Sequence, residues 1–139
     1  MNRMDTIEEP FEDARRAIGQ RLDEILAAVD AGELDRLAGF HLNSPKFTKF
    51  NDAAPLERQD FAAAMESEAA EFSALESIRS DIRDLRIDVF GPVAVVTGMY
   101  AYQAVADGEA LTGEIRASLV MVDDHGEWKI AHEHLSTLT

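Results

Sequence analysis

The spacing of apolar residues changes once along the chain, from a helical period to a period of two. From position 10 to 31, apolar residues recur every three or four positions, which predicts an amphipathic helix. Pro10 suits the first helical turn and Gly32 suits the end. A short second helix is predicted over 33–40, and a third over 59–75, where Asp60 could cap the start.

After Ile78 the pattern becomes that of strands. Residues 85–89 alternate between apolar and charged side chains, as in a strand with one wet face. Turns at Gly91-Pro92, Asp107-Gly108 and Asp124-His125-Gly126 separate this strand from others at 93–105, 111–122 and 128–138. An earlier strand is predicted at 46–51. The pattern therefore predicts an α+β protein, with three N-terminal helices packed on one face of a curved, mostly antiparallel sheet.

Strand 93–105 is apolar on both sides, unlike the strand before it. Helices cover one face of the predicted sheet, and the predicted elements leave none to cover the other. We therefore predict a homodimer, with the second face buried against another subunit.

Composition limits the class of partner. The 139 residues suit a single domain spanning 1–139, with residues 1–9 expected to form a flexible N-terminal arm. The net charge of −14 argues against nucleic acid and anionic membranes as partners. The absence of cysteine excludes thiolate chemistry. No secretory signal or membrane-spanning run is evident, so a cytoplasmic location is expected.

The closing strand carries two of the four histidines, and a glutamate stands between them. Alternation places His132 and His134 on one face and Glu133 on the other. A slip of one residue in the hairpin register would exchange these faces. The two histidines alone do not make a metal site, so we expect no metal and no cofactor.

Three segments carry a family resemblance: Phe50-Asn51-Asp52, the stretch 91–96 (GPVAVV) and the ending 126–136 (GEWKIAHEHLS). With the order of elements, they resemble the nuclear transport factor 2-like superfamily. The ending is similar to its SnoaL-like branch and to the hub domain of calcium/calmodulin-dependent kinases. The resemblance implies a cone-shaped fold that encloses a pocket, usually in a dimer, and implies no single function.

The resemblance also implies which side chains point into the cone. Glu133 is among them, and a carboxylate in an apolar pocket would have a raised pKa suited to acid–base chemistry. The alternative for Glu133 is a position at the pocket rim, paired in solvent with Arg116 or Lys129. The other expected ligand-binding residues are Thr97, Met99, Gln103, Leu119, Met121 and Leu135.

Two departures from the family patterns bear on activity. Isomerases of this fold place an aspartate base just after the first strand, where this chain has Asn51 and then Asp52. An amide takes up no proton, so a base here would be Asp52. Hub domains line their pocket with arginines for a carboxylate. The corresponding positions here, Ala101, Leu119 and Leu135, are uncharged.

The opposite face of the sheet is expected to form the subunit interface. Its predicted members are Tyr100, Tyr102, Trp128, His132 and His134. His41 follows the second helix near the expected mouth of the pocket, where a surface loop is the default interpretation.

Two functions remain open from the sequence. The first is a SnoaL-like enzyme that binds a small apolar or amphipathic molecule and performs isomerase-, cyclase- or dehydratase-type acid–base chemistry, with Glu133 or Asp52 as base. The second is a non-catalytic ligand-binding or dimeric assembly module.

Overall fold

The computed structural model of the protein describes residues 3–138, with side chains from 6 to 138. Four helices and five strands follow one another in the order α1 (Arg3–Glu8), α2 (Glu12–Ala31), α3 (Leu34–Ala38), β1 (Thr48–Phe50), α4 (Phe61–Ser73), β2 (Ser77–Phe90), β3 (Val93–Ala106), β4 (Glu109–Asp124) and β5 (Glu127–Thr137). The three predicted helices correspond to α2, α3 and α4.

The ends of the long helices follow from local chemistry. Gly32 ends α2 with a left-handed φ of 69°, and its N–H reaches the carbonyl oxygens of Ala28 and Val29. Such a conformation is inexpensive for a residue without a Cβ. At the start of α4, the carboxylate of Asp60 accepts a 2.9 Å hydrogen bond from the N–H of Ala63. The end of α2 at Gly32 and the capping of α4 by Asp60 were both expected from the sequence, and both are confirmed.

The segment expected to be a flexible arm contains a helix. Helix α1 occupies Arg3–Glu8 and packs against β2. Met1 and Asn2 belong to the same predicted arm and lie outside the described residues. The flexibility of the arm stays a prediction.

The five strands form one sheet in the order β1-β5-β4-β3-β2. Strands β2 to β5 make an antiparallel meander, and β1 pairs in parallel with β5 at the edge. In the two hairpins β3–β4 and β4–β5, both central residues have positive φ, at Asp107-Gly108 and His125-Gly126. This geometry fits the right-handed twist of the strands. The predicted α+β architecture is therefore confirmed.

Helices α2 and α4 cover one face of the sheet, which we call the inner face; we call the opposite face the outer face. The core lies between α2 and the inner face. Its most deeply buried large side chains are Ile18, Phe47 and Met121. None of the helices within residues 3–138 is long and apolar enough to span a membrane.

A β-bulge in β5 changes which of its side chains face inward. Val120 pairs with His132 and Met121 with Ile130, so Ala131 is an extra residue in β5. Trp128 and Ile130 therefore face the core on one side of the bulge, and Glu133 faces inward on the other. The predicted face shared by Trp128 and the two histidines is wrong, because alternation alone takes no account of the extra residue.

The facing predicted for β3 is also wrong. The two-residue turn pairs Ala106 with Glu109, so every odd position of one strand lies opposite an even position of the other. Because Leu119 faces inward, its partner Val96 does too, and the inward residues of β3 are the even-numbered ones. Thr97, Met99 and Gln103 are consequently on the outer face.

Candidate functional site

A cavity of about 360 Å³ lies between the inner face of the sheet and helices α2 and α4. Its volume falls within the usual range of small-molecule sites. Most of its wall is apolar, formed by Leu22, Ile25, Leu26, Val29, Leu37, Phe72, Leu75, Ile78, Ile82, Leu85, Val96, Leu111, Ile115, Ala117, Leu119, Ile130 and Leu135, with Tyr100 and Tyr102. Charged groups join the wall from β1, β5, α4 and the segment after α3.

Lys49 and Glu133 form a buried ion pair at this charged end. Parallel pairing of β1 with β5 sets the two residues side by side, and both side chains point inward. Lys49 Nζ lies 3.6 Å from Glu133 Oε2, and the two residues are 3% and 9% exposed. Two buried charges of opposite sign partly offset each other's cost of leaving water.

His41 joins the pair from the segment after α3. Its Nδ1 donates to the carbonyl oxygen of Leu37 at 3.0 Å, and its Nε2 donates to Glu133 Oε1 at 3.2 Å. Because both ring nitrogens face acceptors, the contacts suit the charged imidazolium. The predicted surface position of His41 is wrong, since the side chain is buried under the sheet and packs edge-on against Phe47.

Glu68 of α4 completes the charged cluster, which we define as His41, Lys49, Glu68 and Glu133. The residue is 8% exposed, and its Oε2 lies 3.5 Å from His41 Nε2. No group within residues 3–138 forms a hydrogen bond with this oxygen. Glu68 is thus a buried carboxylate at the cavity wall, and its Oε2 faces the imidazole of His41 without a hydrogen bond.

The two carboxylates of the cluster differ in protonation. Burial raises the pKa of Glu68, and the negative charge of Glu133 adds to this, so that the pKa rises from an ordinary 4.5 to about 7. Burial also raises the pKa of Glu133, but the charge of Lys49 and the hydrogen bond from His41 outweigh it and lower the pKa to about 2. Glu133 is therefore ionised at neutral pH, whereas Glu68 titrates there.

The surroundings favour the charged forms of His41 and Lys49. Burial lowers the pKa of His41, but its hydrogen bond to Glu133 and the charge of Glu68 raise it above the ordinary 6.5. Burial likewise lowers the pKa of Lys49, and the charge of Glu133 more than offsets this. The cluster accordingly combines two bases whose charged forms are favoured with one ionised carboxylate, Glu133, and one carboxylate, Glu68, whose pKa lies near neutral pH.

Of the two predicted catalytic residues, Glu133 lies in the cluster and Asp52 does not. Asp52 is half-buried in the cavity wall, where Thr137 Oγ1 donates to its Oδ2 at 3.3 Å. Its neighbour Asn51 is buried, and its Nδ2 donates to Glu71 Oε1 at 2.8 Å. Glu71 also lines the cavity.

The predicted ligand-binding residues divide into three groups. Leu119 and Leu135 line the cavity. Met121 faces inward but lies in the core. Thr97, Met99 and Gln103 are on the outer face, because the β3–β4 hairpin directs the even-numbered residues of β3 inward.

Three of the predicted interface residues point inward. Tyr100 and Tyr102 line the cavity, and Trp128 belongs to the core. Ser80 Oγ and Tyr100 Oη are hydrogen-bonded at 2.7 Å. Burial, opposed by this hydrogen bond, raises the pKa of Tyr100 to about 12, so the phenol stays neutral.

His132 and His134 lie on the outer face, as predicted. Thr48 Oγ1 and His132 Nδ1 are hydrogen-bonded at 2.8 Å, and the ring of Phe50 packs against both imidazoles. Across residues 3–138, no group of three or more histidines or carboxylates is arranged to hold a metal ion.

Three members of the cluster were missed or misread in the sequence. Lys49 gave no signal beyond its place in a short strand. The position of Glu68 was informative, because this residue stands seven residues after Phe61 and four before Phe72, on the apolar stripe of α4. A charged residue on such a stripe indicates a buried or functional group.

Solved structures of other proteins share this fold. A candidate dehydratase of the nuclear transport factor 2-like family from Streptomyces avermitilis aligns with a TM-score of 0.82 and 17% identity, over 93% of this chain and 98% of its own. A candidate aromatic ring hydroxylase from Novosphingobium aromaticivorans aligns with a TM-score of 0.78 and 19% identity, over 94% and 92%. At these identities the likeness shows the fold alone.

A third similar structure is a kinase hub domain. The hub of the S. rosetta calcium/calmodulin-dependent kinase II aligns with a TM-score of 0.69 and 26% identity, over 88% of this chain and 95% of its own. Among curated proteins, none matches this chain in sequence. The sequence profile of the SnoaL-like domain, however, matches residues 18–139. The chain belongs to the SnoaL-like domain family.

Proposed function

We propose that the protein binds a small apolar or amphipathic molecule in its cavity and performs acid–base chemistry of the isomerase, cyclase or dehydratase type. The observation that carries this proposal is the buried carboxylate of Glu68, which faces His41 without a hydrogen bond at the charged end of an otherwise apolar cavity. Such a combination of apolar walls and a few convergent polar groups is typical of small-molecule sites.

Glu68 is the proton-transferring group in this proposal. A general acid or base works best when its pKa lies near the operating pH, and the pKa of Glu68 is about 7. Glu133 is a poorer base, because the contacts with Lys49 and His41 stabilise its negative charge and lower its pKa to about 2. We therefore assign Glu133 as a positioning residue that orients His41, while Asp52 remains a secondary candidate at the cavity wall.

His41 lies close enough to Glu68 to influence its ionisation. Its Nε2 lies 3.5 Å from Glu68 Oε2, so the imidazolium stabilises the ionised carboxylate without sharing a hydrogen bond. When Glu68 takes a proton from the ligand, this attraction is lost while that between His41 and Glu133 remains. The cluster can thus gain and release one proton without rearranging its other contacts.

The experiment has a binding step and a proton-transfer step. Ring compounds would be screened by calorimetry against the wild-type protein, the cavity-filling variant Ala117→Phe and the matched control Ala110→Phe, which lies on the exposed part of the same strand. The proposal expects binding that Ala117→Phe abolishes and Ala110→Phe retains. Equal binding to all three proteins, or to none, would overturn it.

Deuterium uptake then separates catalysis from binding. Bound compounds with an acidic C–H would be followed by NMR in heavy water. Glu68→Gln should slow the exchange by roughly a hundredfold or more, while Glu66→Gln, on the exposed side of α4, should leave it unchanged. If Glu68 is the base, the exchange rate should increase with pH, and the midpoint of the increase should give an apparent pKa near 7.

The second candidate function is a non-catalytic binding or assembly module. The likeness to the kinase hub favours it. Binding without any deuterium uptake in the experiment above would support this function over the first.

We also propose that the protein is a homodimer that buries the outer face. Phe90, Val93 and Val95 are each more than a third exposed there, and Val120 and Val122, which lie opposite Val95 and Val93 on β4, extend the apolar area. An apolar sheet face of this kind is commonly covered by a second subunit.

A further inference from the structure

Strand β4 has an open edge near its beginning. Strand β5 pairs with β4 only from Ile115 onward, and the last contact on that side is a 3.0 Å hydrogen bond from the N–H of Leu138 to the carbonyl oxygen of Glu114. Within residues 3–138, no strand and no backbone hydrogen bond covers the β5 side of residues 109–113, which we call the open edge.

Two residues of the open edge direct their backbone groups to the free side. The two-residue turn pairs Ala106 with Glu109, so the odd-numbered residues of β4 bond to β3. The even-numbered residues face the other way, as the carbonyl of Glu114 does toward the end of β5. Ala110 and Thr112, both exposed, therefore each present an N–H and a C=O that have no backbone partner within residues 3–138.

The other two edges of the sheet are protected against the addition of a strand. Strand β2 has a bulge between Arg83 and Arg86 and carries a charge at nearly every second position. On β1, Lys49 exchanges both backbone hydrogen bonds with Gln59, so its free side is covered. The open edge pairs regularly with β3 and contains no lysine, proline or bulge. A sheet edge without such features is a template for a further strand.

An exposed leucine lies beside the free backbone groups. Leu111 stands between Ala110 and Thr112, faces inward at the cavity wall and is 42% exposed. A segment paired with the open edge would place every second side chain on the inner face, where one of them contacts Leu111. An apolar residue at that place would be buried together with this leucine, which favours binding.

Charges around the open edge determine which segments it can bind. Glu109 belongs to it, and Asp107 and Glu76 lie at the adjoining turn, where Glu76 Oε1 accepts a 2.8 Å hydrogen bond from the N–H of Gly108. None of these three carboxylates forms an ion pair with a cation of the described residues. A second copy of this chain, with its net charge of −14, would bring the same carboxylates to its own edge and be repelled. Lysine or arginine on a partner would instead be attracted.

We propose that the open edge binds an extended, basic segment of a partner protein by strand addition. Backbone hydrogen bonds to Ala110 and Thr112 hold the segment, and an apolar side chain covers Leu111. Lysine or arginine residues at its ends face Glu109 and Asp107. The segment continues the line of β5 over about 17 Å, the length of five residues of a strand.

Three capped peptides of equal length test the proposal: KTVTVTK, its acidic counterpart ETVTVTE, and KTPTPTK, in which proline removes two backbone donors. Amide hydrogen exchange of the full chain would be followed by NMR. KTVTVTK at about ten times its dissociation constant should slow the exchange of the Ala110 and Thr112 amides about tenfold. The amides of Leu111 and Gly113, which already bond to β3, should change little. The acidic peptide and the proline peptide should leave all four amides unchanged.

Two variants separate backbone pairing from charge. Thr112→Pro removes an N–H that faces the free side and should abolish the binding of KTVTVTK, measured by fluorescence anisotropy. Glu109→Lys should weaken this binding by up to about fivefold. The control Glu127→Lys changes the net charge equally at the exposed start of β5 and should keep the wild-type affinity. If Thr112→Pro does not fold, KTPTPTK supplies the same test on the wild-type protein.

Several outcomes would overturn the proposal. One is binding of the acidic or the proline peptide as tight as that of KTVTVTK, and another is no binding of KTVTVTK at about 1 mM. Unchanged exchange of Ala110 and Thr112 in the presence of bound peptide would place the peptide elsewhere. Slow exchange of these two amides in the free protein, becoming faster on dilution, would assign the open edge to a second copy instead.

Discussion

At the scale of single residues, the ion pair of Lys49 and Glu133 is as much a structural feature as a functional one. Glu133→Gln removes the charge that faces both Lys49 and His41 in a buried place. The free energy of unfolding should fall by about 3 kcal/mol, because two buried cations lose their main partner. Urea denaturation followed by circular dichroism measures this loss.

Two controls accompany this prediction. Glu127→Gln, at the exposed start of the same strand, should change the stability by less than about 0.5 kcal/mol. The double variant Lys49→Met/Glu133→Leu should be more stable than Glu133→Gln, because it removes both charges together and leaves His41 facing Glu68. A single variant as stable as the wild-type protein would contradict the assignment of a buried pair.

Glu68 makes stability depend on pH in a defined direction. Its pKa is about 7 in the folded protein and near 4.5 when unfolded, so the folded state holds more protons between these values. Its contribution to stability is therefore fully present below pH 4.5 and is lost as the pH rises to about 7. For Glu133, whose folded pKa is about 2, the contribution is present above pH 4.5 and is lost below it.

The Glu68→Gln variant isolates the upper part of this dependence. Its stability relative to the wild-type protein should increase by up to about 3 kcal/mol between pH 4.5 and pH 7.5, since each pKa unit corresponds to about 1.4 kcal/mol. Denaturant unfolding at several pH values measures the difference, with Glu66→Gln as the control that should show none. A difference that does not vary with pH would show that Glu68 keeps an ordinary pKa.

At the scale of secondary structure, two glycines respond in opposite ways to the same substitution. A Cβ on Gly113 of β4 would lie 2.6 Å from Cε1 of Tyr102, so the ring that forms part of the cavity wall must move. Gly113→Ala should destabilise the protein by about 1–3 kcal/mol. Gly19→Ala in α2 should stabilise it by roughly 1 kcal/mol, because a Cβ there meets no atom within 4 Å.

Thermal unfolding of the two variants measures this contrast. The double variant Tyr102→Leu/Gly113→Ala tests the cause, since removal of the ring should recover most of the loss relative to Tyr102→Leu alone. If Gly113→Ala were as stable as the wild-type protein, the close packing of Tyr102 on Gly113 would be refuted.

The helices and strands were largely predictable from the sequence. Which side chains of a strand point to the inner face of the sheet was only partly predictable. Helix ends at Gly32 and Asp60 depend on residues next to them in sequence, so local chemistry predicts them. The facing of β3 could also have been deduced, because the two-residue Asp107-Gly108 turn pairs odd positions with even ones. The bulge at Ala131 leaves no such mark, since its neighbours alternate as in a regular strand.

At the scale of the whole molecule, the outer face predicts the state of association. Light scattering with size-exclusion chromatography should give twice the chain mass of 15.4 kDa at micromolar concentration. Val95→Asp, which adds a charge to an exposed position on the outer face, should give the mass of a single chain. Leu56→Asp, an exposed leucine in the loop before α4, should leave the dimer intact. A single-chain mass for the wild-type protein would contradict the interface.

The sequence by itself determined the order of helices and strands, the hairpins and the family resemblance. Each depends on residues close together in the chain, whose periodicity and turn preferences act locally. Only the tertiary structure decided the chemistry of the closing strand. It joins Glu133 to His41, 92 residues away, and to Lys49 on the neighbouring strand. It also buries Glu68 beside them and thereby moves the candidate proton transfer from Glu133 to Glu68. Burial and distant charges set a pKa, and neither is encoded in the spacing of residues along one strand.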